Sequence, residues 1–149
     1  MVTKTLNHQS HQAVTAIFAG TFDPLTLGHF QVILEICELF STVVVAVHDP
    51  SDGQGEHALP LFDTATRVAL TTKSCEELSK VKVIAYRGLT VDLLKSHQPS
   101  VLIRGLRSSK DFEYERDLFD NQKVLYPAMK TIYIPTPSPW RHISSTMVR

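Results

Sequence analysis

Short apolar runs and longer stretches with helical periodicity alternate along almost the whole chain. The short runs predict five β-strands, at Val14–Phe18, Thr42–Val47, Val81–Ala85, Ser100–Ile103 and Thr131–Ile134. Stretches with apolar residues three or four positions apart predict helices, at Gly28–Phe40, Thr64 to about Leu78, Thr90–Ser96, Ser108 or Ser109 to about Val124, and from about Ser144 onward. The order βαβαβαβαβα predicts a doubly wound α/β fold, with five parallel strands in one sheet and right-handed connections.

The composition is that of one globular domain, since 43% of the 149 residues are hydrophobic and 20% are charged. We assign residues 13–149 to this domain and expect the polar residues 1–12 to form a flexible leader without the apolar segment of a signal peptide. The 15 Lys and Arg residues balance the 15 Asp and Glu residues, which argues against a nucleic-acid or membrane-surface partner. No apolar run is long enough to cross a membrane.

The two cysteines, Cys37 and Cys75, both fall inside predicted helices and lack the spacing of metal ligands. We expect them to be the reduced thiols of a cytoplasmic protein. Histidines and carboxylates also cluster in the long loop after the second strand, at His48, Asp49, Asp52, Glu56 and His57. Their spacing matches no common metal site, so we predict no metal centre there.

The turn after the first strand carries the strongest sign of chemistry. The strand breaks at Gly20, and a helix restarts near Gly28 and His29. A strand that feeds a helix N-terminus through a glycine turn favours anion binding, because the first helical N–H groups lack partners and the helix dipole is positive there. Thr21 and His29 would add side-chain donors. The alternative is a plain strand–turn–helix corner with a surface histidine.

Two arginines follow the fourth strand, which we predict to end at Arg104 and Gly105. The planar guanidinium groups of Arg104 and Arg107 could each bind a phosphate through a bidentate fork. The alternative is that these arginines form salt bridges with acidic residues of the next predicted helix, at Asp111, Glu113 or Glu115.

Three hydroxyl residues, Ser144, Ser145 and Thr146, mark the start of the last predicted helix. They favour either a phosphate-binding helix terminus or simply a well-capped helix, because Ser and Thr are preferred at that position. Trp140 and His142 precede them and could flank a nucleotide base. Since ligands of doubly wound sheets bind at the carboxyl ends of the strands, we expect all three groups to meet in one crevice.

The strings GTFDP-x-T-x-GH, VLIRGLR-x3-DFEYE and W-x2-ISST-x2-R together resemble the phosphopantetheine adenylyltransferase family of the nucleotidyltransferase superfamily. The resemblance runs from about Val14 to Arg149 and implies a Rossmann-like nucleotidyltransferase fold. It also implies adenylyl transfer from ATP to 4′-phosphopantetheine, giving dephospho-coenzyme A and pyrophosphate. The family uses Mg²⁺, forms no covalent intermediate and is typically a homo-hexamer.

The resemblance further implies roles for individual residues. The catalytic residues would be His29, Arg104 and Arg107. The ATP site would comprise Thr21, Phe22, Gly28, His29, Arg107, Glu115, Trp140, His142, Ile143, Ser144, Ser145 and Thr146. The phosphopantetheine site would comprise Thr21, Asp23, Leu89, Val91, Leu93 and Arg104.

The chain departs from the family pattern in two places. The family carries a phosphate-binding lysine after the second strand, whereas this chain has no lysine between Lys4 and Lys73, and His57 is the candidate to replace it. The family's helical tail beyond the ISS helix is also absent after Arg149. The missing lysine leaves open a catalytically weak homologue that binds ATP or coenzyme A. The other alternative is a different nucleotidyltransferase, such as a cytidylyltransferase, against which the IRGLR…DFEYE string argues.

Overall fold

The computed structural model describes residues 12–52 and 59–149. In this part of the chain, one parallel sheet has the strand order β3-β2-β1-β4-β5. Its strands are β1 (Thr15–Gly20), β2 (Thr42–His48), β3 (Val81–Tyr86), β4 (Ser100–Leu106) and β5 (Thr131–Pro135). The helices are α1 (Leu27–Leu39), α2 (Thr64–Ser74), α3 (Thr90–Ser96), α4 (Ser109–Leu125) and α5 (Ser145–Val148), and short 3-10 turns span Pro50–Asp52 and Ser138–Trp140. The predicted doubly wound five-stranded parallel sheet is therefore confirmed.

The sheet is covered on both faces, because alternate residues of each central strand enter different core clusters. From β1, Ala16 and Phe18 pack with residues of α1, whereas Ile17 and Ala19 pack with residues of α3. In β2, Val43, Val45 and Val47 enter the first cluster, and Val44 and Ala46 enter the second. Both faces of the strand are thus buried, which explains why it is apolar at almost every position. Two apolar layers thus fix β1 and β4 side by side at the centre of the sheet.

Strand β4 is longer than the sequence predicts. It continues to Leu106, so the prediction that it ends at Arg104 and Gly105 was wrong. The physical reason is the partner strand, since Arg104, Gly105 and Leu106 pair in register with residues of β5. Arg104 is consequently held by the sheet itself and not by a turn after it.

Helix α2 is shorter than predicted, and it ends at Ser74 instead of continuing to about Leu78. Cys75 is therefore not inside a helix but caps its C-terminus, and its N–H donates to the carbonyls of Thr71 and Thr72 at 3.1 Å. Cys37 lies in α1, as predicted. Residues 1–11 of the proposed leader lie outside the described residues, as do Glu56 and His57. None of the helices described here has both the length and the apolar character needed to cross a membrane.

The core of α1 offers a matched pair of substitutions. Ile33 has no exposed surface, whereas Leu39 of the same helix is 68% exposed. We expect Ile33→Ala to lower the free energy of unfolding by about 2–5 kcal/mol, because it removes buried methyl groups and leaves a cavity. Leu39→Ala should change it by less than about 0.5 kcal/mol. Urea denaturation measures both values, and equal losses would contradict this placement of α1.

Candidate active site

A cleft of about 840 Å³ opens at the carboxyl edge of the sheet. It is lined by the ends of β1 and β4, the N-terminal halves of α1 and α4, residues in and around α5, and the segment at 59–61 before α2. This volume lies in the range of about 300–1,000 Å³ that is usual for small-molecule sites. The three groups that the sequence singles out as phosphate-binding candidates therefore meet in one place.

Most of the predicted site residues line this cleft. They are Thr21, Phe22, Asp23, Gly28, His29, Arg104, Arg107, Glu115, Ile143, Ser144, Ser145 and Thr146. Trp140, His142, Leu89, Val91 and Leu93 are not among the lining residues within the described ranges. Val91 and Leu93 are buried against the second face of the sheet, and Leu89 is the N-cap of α3. Contacts of these five with a ligand stay predictions.

His29 is fixed by a reciprocal hydrogen-bond motif at the start of α1. The Thr26 hydroxyl accepts the His29 N–H at 3.4 Å, and the Thr26 N–H donates to Nδ1 of His29 at 3.1 Å. Because Nδ1 accepts this bond, the proton of the neutral imidazole lies on Nε2. Burial, and then the nearby charge of Arg107, lower the pKa of His29 to about 4. At neutral pH His29 is therefore an uncharged Nε2–H donor in the cleft.

The turn between β1 and α1 has a left-handed residue, Phe22, with a φ of 46°. Its ring contacts the His29 ring edge-on, with the centroids 5.2 Å apart. A Cβ added at Gly20 would lie 3.0 Å from the same ring, so the glycine makes room for it. The Phe22 ring, for which Gly20 leaves room, therefore packs against the imidazole of His29.

Asp23 is almost fully buried and has several protein partners. Its carboxylate accepts the N–H groups of Leu61 and Phe62 at 2.8 and 3.0 Å, and it pairs with the guanidinium of Arg149. Burial raises the pKa of Asp23, but these hydrogen bonds outweigh burial and hold it below its ordinary value. Asp23 is thus an ionised carboxylate at neutral pH, and its hydrogen bonds join the β1–α1 turn to the segment before α2. Its predicted contact with phosphopantetheine stays untested.

Arg104 and Glu115 form a bidentate ion pair at the end of β4. Nε and Nη2 of Arg104 donate to the two carboxylate oxygens at 2.8 and 2.5 Å, and Nη1 donates to the Ala19 carbonyl at 3.1 Å. Burial lowers the pKa of Arg104, but the Glu115 carboxylate outweighs burial and raises it above its ordinary value. Three of the five N–H donors of the guanidinium are used in these bonds. The side chain still lines the cleft.

Arg107 is half-exposed and pairs with Asp111, whose Oδ2 lies 3.3 Å from its Nε. Both arginines therefore form the salt bridges that the sequence offered as the alternative to phosphate binding. The two interpretations are compatible, because each arginine is paired on one side and lines the cleft on the other. The sequence did not indicate which acidic residue would pair with which arginine.

The last helix is attached to the β1–α1 turn. The Ser144 side chain caps α5 by accepting the Met147 N–H at 3.1 Å, and Ser145 donates to the Pro24 carbonyl at 2.8 Å. Arg149 donates to Thr146 Oγ1 at 3.2 Å and to the main chain and side chain of Asp23. The capped-helix interpretation of these hydroxyls is thus correct, and the same hydroxyl residues also face the cleft.

Sequence reasoning missed Arg67, which is only 1% exposed. It lies in the first turn of α2, and its guanidinium contacts the ends of β1 and β2 from behind the cleft. The one available signal was its position three residues from Thr64 and four from Thr71, on a face of α2 that also includes the buried Thr71. An arginine on an inward helical face usually has a specific set of acceptors.

The low pKa of His29 has a measurable consequence for stability. The folded pKa, about 4, lies below the ordinary value of 6.5, so the unfolded chain binds the proton more readily. The stability contributed by neutral His29 is complete above pH 6.5 and is lost as the pH falls toward 4. We expect the His29 ring resonances to titrate near pH 4 in NMR, and His29→Gln to flatten this part of the stability profile. Titration near pH 6.5 would contradict the assignment.

The ion pairs of Arg104 and Arg107 should contribute differently to stability. Glu115→Ala leaves the partly buried Arg104 without its bidentate partner, and we expect a loss of about 1.5–3 kcal/mol in unfolding free energy. Asp111→Ala removes a more exposed pair and should cost less than about 1 kcal/mol. Denaturant unfolding of both variants provides the comparison. An equal cost would mean that the burial of Arg104 does not matter.

Comparison with known proteins agrees with this architecture. A family model described as cytidylyltransferase-like matches residues 17–149. The chain is 40% identical to the phosphopantetheine adenylyltransferase of Haemophilus ducreyi, over 91% of this chain and 81% of that protein. It is 42% identical to the protein of the same name from Actinobacillus pleuropneumoniae serotype 3, over 91% of this chain and 82% of that protein.

Two solved structures show the same fold. The lipopolysaccharide core biosynthesis protein from Thermoplasma volcanium is 25% identical and superposes with a TM-score of 0.61, over 85% of this chain and 100% of that chain. A Vibrio parahaemolyticus protein described as a candidate nicotinate-nucleotide adenylyltransferase is 19% identical, with a TM-score of 0.67 over 92% of this chain and 78% of that chain. At the lower identity, the likeness shows the fold alone. The extent of the family match and the identity to the curated relatives show that this chain belongs to the phosphopantetheine adenylyltransferase family of cytidylyltransferase-like proteins.

Proposed function

We propose that this chain transfers the adenylyl group of ATP to 4′-phosphopantetheine, giving dephospho-coenzyme A and pyrophosphate in coenzyme A biosynthesis. Family membership supports the reaction, and the placement of His29, Arg104 and Arg107 around one cleft is the observation that carries the proposal. The cleft offers donors from three separate elements, which suits two substrates that each bring phosphate groups. We also place the enzyme in the cytoplasm.

The chemistry requires no covalent intermediate and no general base. An oxygen of the acceptor phosphate attacks the α-phosphorus of ATP, and the bond from that phosphorus to the bridging oxygen of pyrophosphate breaks. Because the nucleophile is already an anion, catalysis consists of aligning the two groups and stabilising the charge on the α-phosphate. In this proposal the Nε2–H of His29 donates to that phosphate. A pKa of about 4 makes His29 unsuited to act as a base at neutral pH.

The other cleft residues bind and orient the substrates. Arg107 and the Ser144–Thr146 hydroxyls take the β- and γ-phosphates of ATP, and Arg104, held by Glu115, takes the phosphate of phosphopantetheine. Trp140, His142 and Ile143 border the adenine, and Leu89, Val91 and Leu93 approach the pantetheine arm. Since Val91 and Leu93 are buried in the core, the arm would meet mainly Leu89, which is 46% exposed. A homo-hexameric assembly stays part of the proposal.

Magnesium would enter with the substrate as Mg-ATP. Within the described residues, no group of three or more His, Cys, Asp or Glu side chains could hold a metal ion. The carboxylates that line the cleft are paired with arginines: Asp23 with Arg149, Asp111 with Arg107, and Glu115 with Arg104. These residues do not fit a magnesium site built from protein ligands alone, so we derive no step through one. Magnesium commonly binds mainly to substrate phosphates and water.

A catalytically weak binding protein is the second candidate. It is favoured by one observation, that no lysine lines the cleft within the described residues. Residue His57, the candidate to replace the missing lysine, lies outside those residues. A cytidylyltransferase is a third possibility, and the choice of nucleotide distinguishes it from our proposal.

The direct test is pyrophosphate release from ATP and Mg²⁺, with and without 4′-phosphopantetheine. Release that depends on phosphopantetheine supports our proposal. Calorimetric binding of ATP or coenzyme A without release would favour the weak homologue, and release with CTP but not ATP would favour a cytidylyltransferase.

His29→Ala tests the proposed donor. We expect kcat to fall by about 10²–10³, because one preorganised donor to the reacting phosphate is lost. The matched control is His97→Ala, since His97 ends α3 and does not line the cleft. It should keep wild-type turnover. Unchanged turnover of His29→Ala, with an unaltered circular dichroism spectrum, would remove His29 from the mechanism.

A further inference from the structure

Arg67 reaches from α2 to the back of the cleft and bonds four protein acceptors. Its Nε donates to the Phe62 carbonyl at 3.0 Å, and its Nη2 donates to the Thr64 hydroxyl at 2.8 Å. Its Nη1 donates to the carbonyls of Thr21 and His48 at 2.7 and 2.8 Å. Three of the four acceptors are therefore main-chain carbonyls. The guanidinium is fully buried and does not line the cleft.

These carbonyls belong to places where the chain leaves regular structure. Thr21 follows the last residue of β1, His48 is the last residue of β2, and Phe62 precedes the N-cap of α2. Two of these carbonyls lie outside any strand and the third is at the end of one, and buried carbonyls without a partner are costly. One planar guanidinium satisfies all three and thereby fixes the ends of two neighbouring strands relative to each other.

The segment before α2 is held from both sides. The Phe62 N–H donates to the Asp23 carboxylate, and the Phe62 carbonyl accepts from Arg67. Asp23 lies in the same turn as Thr21, which is itself bonded to Arg67. The turn and the segment before α2 thus share two buried charged groups, one that accepts and one that donates.

The bond to Thr21 determines how the turn faces the cleft. A trans peptide is planar, with its carbonyl and N–H pointing in opposite directions. Because the Thr21 carbonyl points at Arg67, the Phe22 N–H points away from Arg67. Phe22 is also the left-handed residue whose ring supports His29. A change at Arg67 would therefore reach His29 through Thr21 and Phe22.

We propose that Arg67 is a positioning residue for adenylyl transfer: it touches no substrate, and it holds the Gly20–Phe22 turn so that His29 and the Phe22 N–H are presented to the reacting phosphates. This inference rests on the function proposed above. It adds to that function a residue outside the cleft, in a helix that the sequence motifs do not include.

Lysine is the informative replacement at this position. Its single ammonium group keeps the charge but cannot donate at the same time to all four acceptors that the planar guanidinium reaches. We expect Arg67→Lys to lower kcat by at least tenfold, since a displacement of about 1 Å at a reacting group can cost about 10²-fold. Thr64→Val is the matched control, because it removes one acceptor of Arg67 and leaves the three carbonyl bonds. It should keep turnover within about twofold of wild type.

A double-mutant cycle separates positioning from general stabilisation. If Arg67 acts in part through His29, the variant with both Arg67→Lys and His29→Ala should lose less kcat than the product of the two single losses, and the loss that remains beyond His29→Ala is the share carried by the Phe22 N–H. Losses that multiply would overturn the proposal, because Arg67 would then act independently of His29. Unchanged kcat in a folded Arg67→Lys variant would overturn it as well. All rates are to be measured well below the Tm of each variant.

A measurement on the wild-type protein covers the case in which Arg67→Lys does not fold. In ¹⁵N NMR with ATP and Mg²⁺, we expect a large shift of the Phe22 amide resonance and only a small shift of the Arg67 Nε resonance. A large shift at Arg67 with none at Phe22 would show that the guanidinium itself binds the nucleotide, and would overturn the proposal. If ATP binds but the wild-type protein releases no pyrophosphate, the proposed adenylyltransferase function fails. The same NMR pattern would still support the placement of the Phe22 N–H at the nucleotide and of Arg67 away from it.

Discussion

Two buried side chains of opposite charge hold the main chain behind the β1–α1 turn, and the shape of the cleft depends on them. Asp23 accepts main-chain N–H groups of the segment before α2, and Arg67 donates to carbonyls of that segment and of the strand ends, so each satisfies main-chain polar groups there. The two meet at Phe62, which is bonded to both. Arg149 adds α5 to the same network through Asp23. The walls of the cleft are therefore joined by charged hydrogen bonds, which are stronger than neutral ones.

In the proposed function, arginines that are already paired with carboxylates would bind the phosphates. Arg104, Arg107 and Arg149 each pair with one carboxylate of the cleft, so their side-chain charges cancel. Recognition must then depend on where the remaining N–H donors point, more than on a broad positive field. An arginine that is already fixed by a carboxylate loses less conformational freedom when it binds a ligand. In that function, the ion pairs expected as an alternative to phosphate binding would instead fix Arg104 and Arg107 in advance for it.

The sequence predicted the fold because its strands are apolar on both faces and its helices carry clear caps. Thr42–Val47 and Ser108 show these signals, and both predictions agree closely with the structure. The end of β4 could not be predicted, because residues 104–106 stay extended through pairing with β5, a distant part of the chain. Arg67 was missed for the same physical reason. Three of its four acceptors are main-chain carbonyls that the fold brings together. Every residue has such a carbonyl whatever its side chain, so the sequence does not show which ones will be acceptors.

His29 is neutral at neutral pH, and the sequence has no lysine between Lys4 and Lys73 that could add a cation after the second strand. A positively charged imidazole would be disfavoured by burial and by Arg107, so the turn offers a dipolar donor and not a second cation. Dipoles stabilise developing charge effectively only when they are fixed in advance, because reorientation during the reaction costs free energy. A flexible lysine side chain can adjust its position as charge moves during a reaction. A site that relies on fixed dipoles instead needs a more rigid turn. Arg67, Asp23 and the Thr26 cap provide this rigidity, each by bonding main-chain groups of the turn or its neighbours.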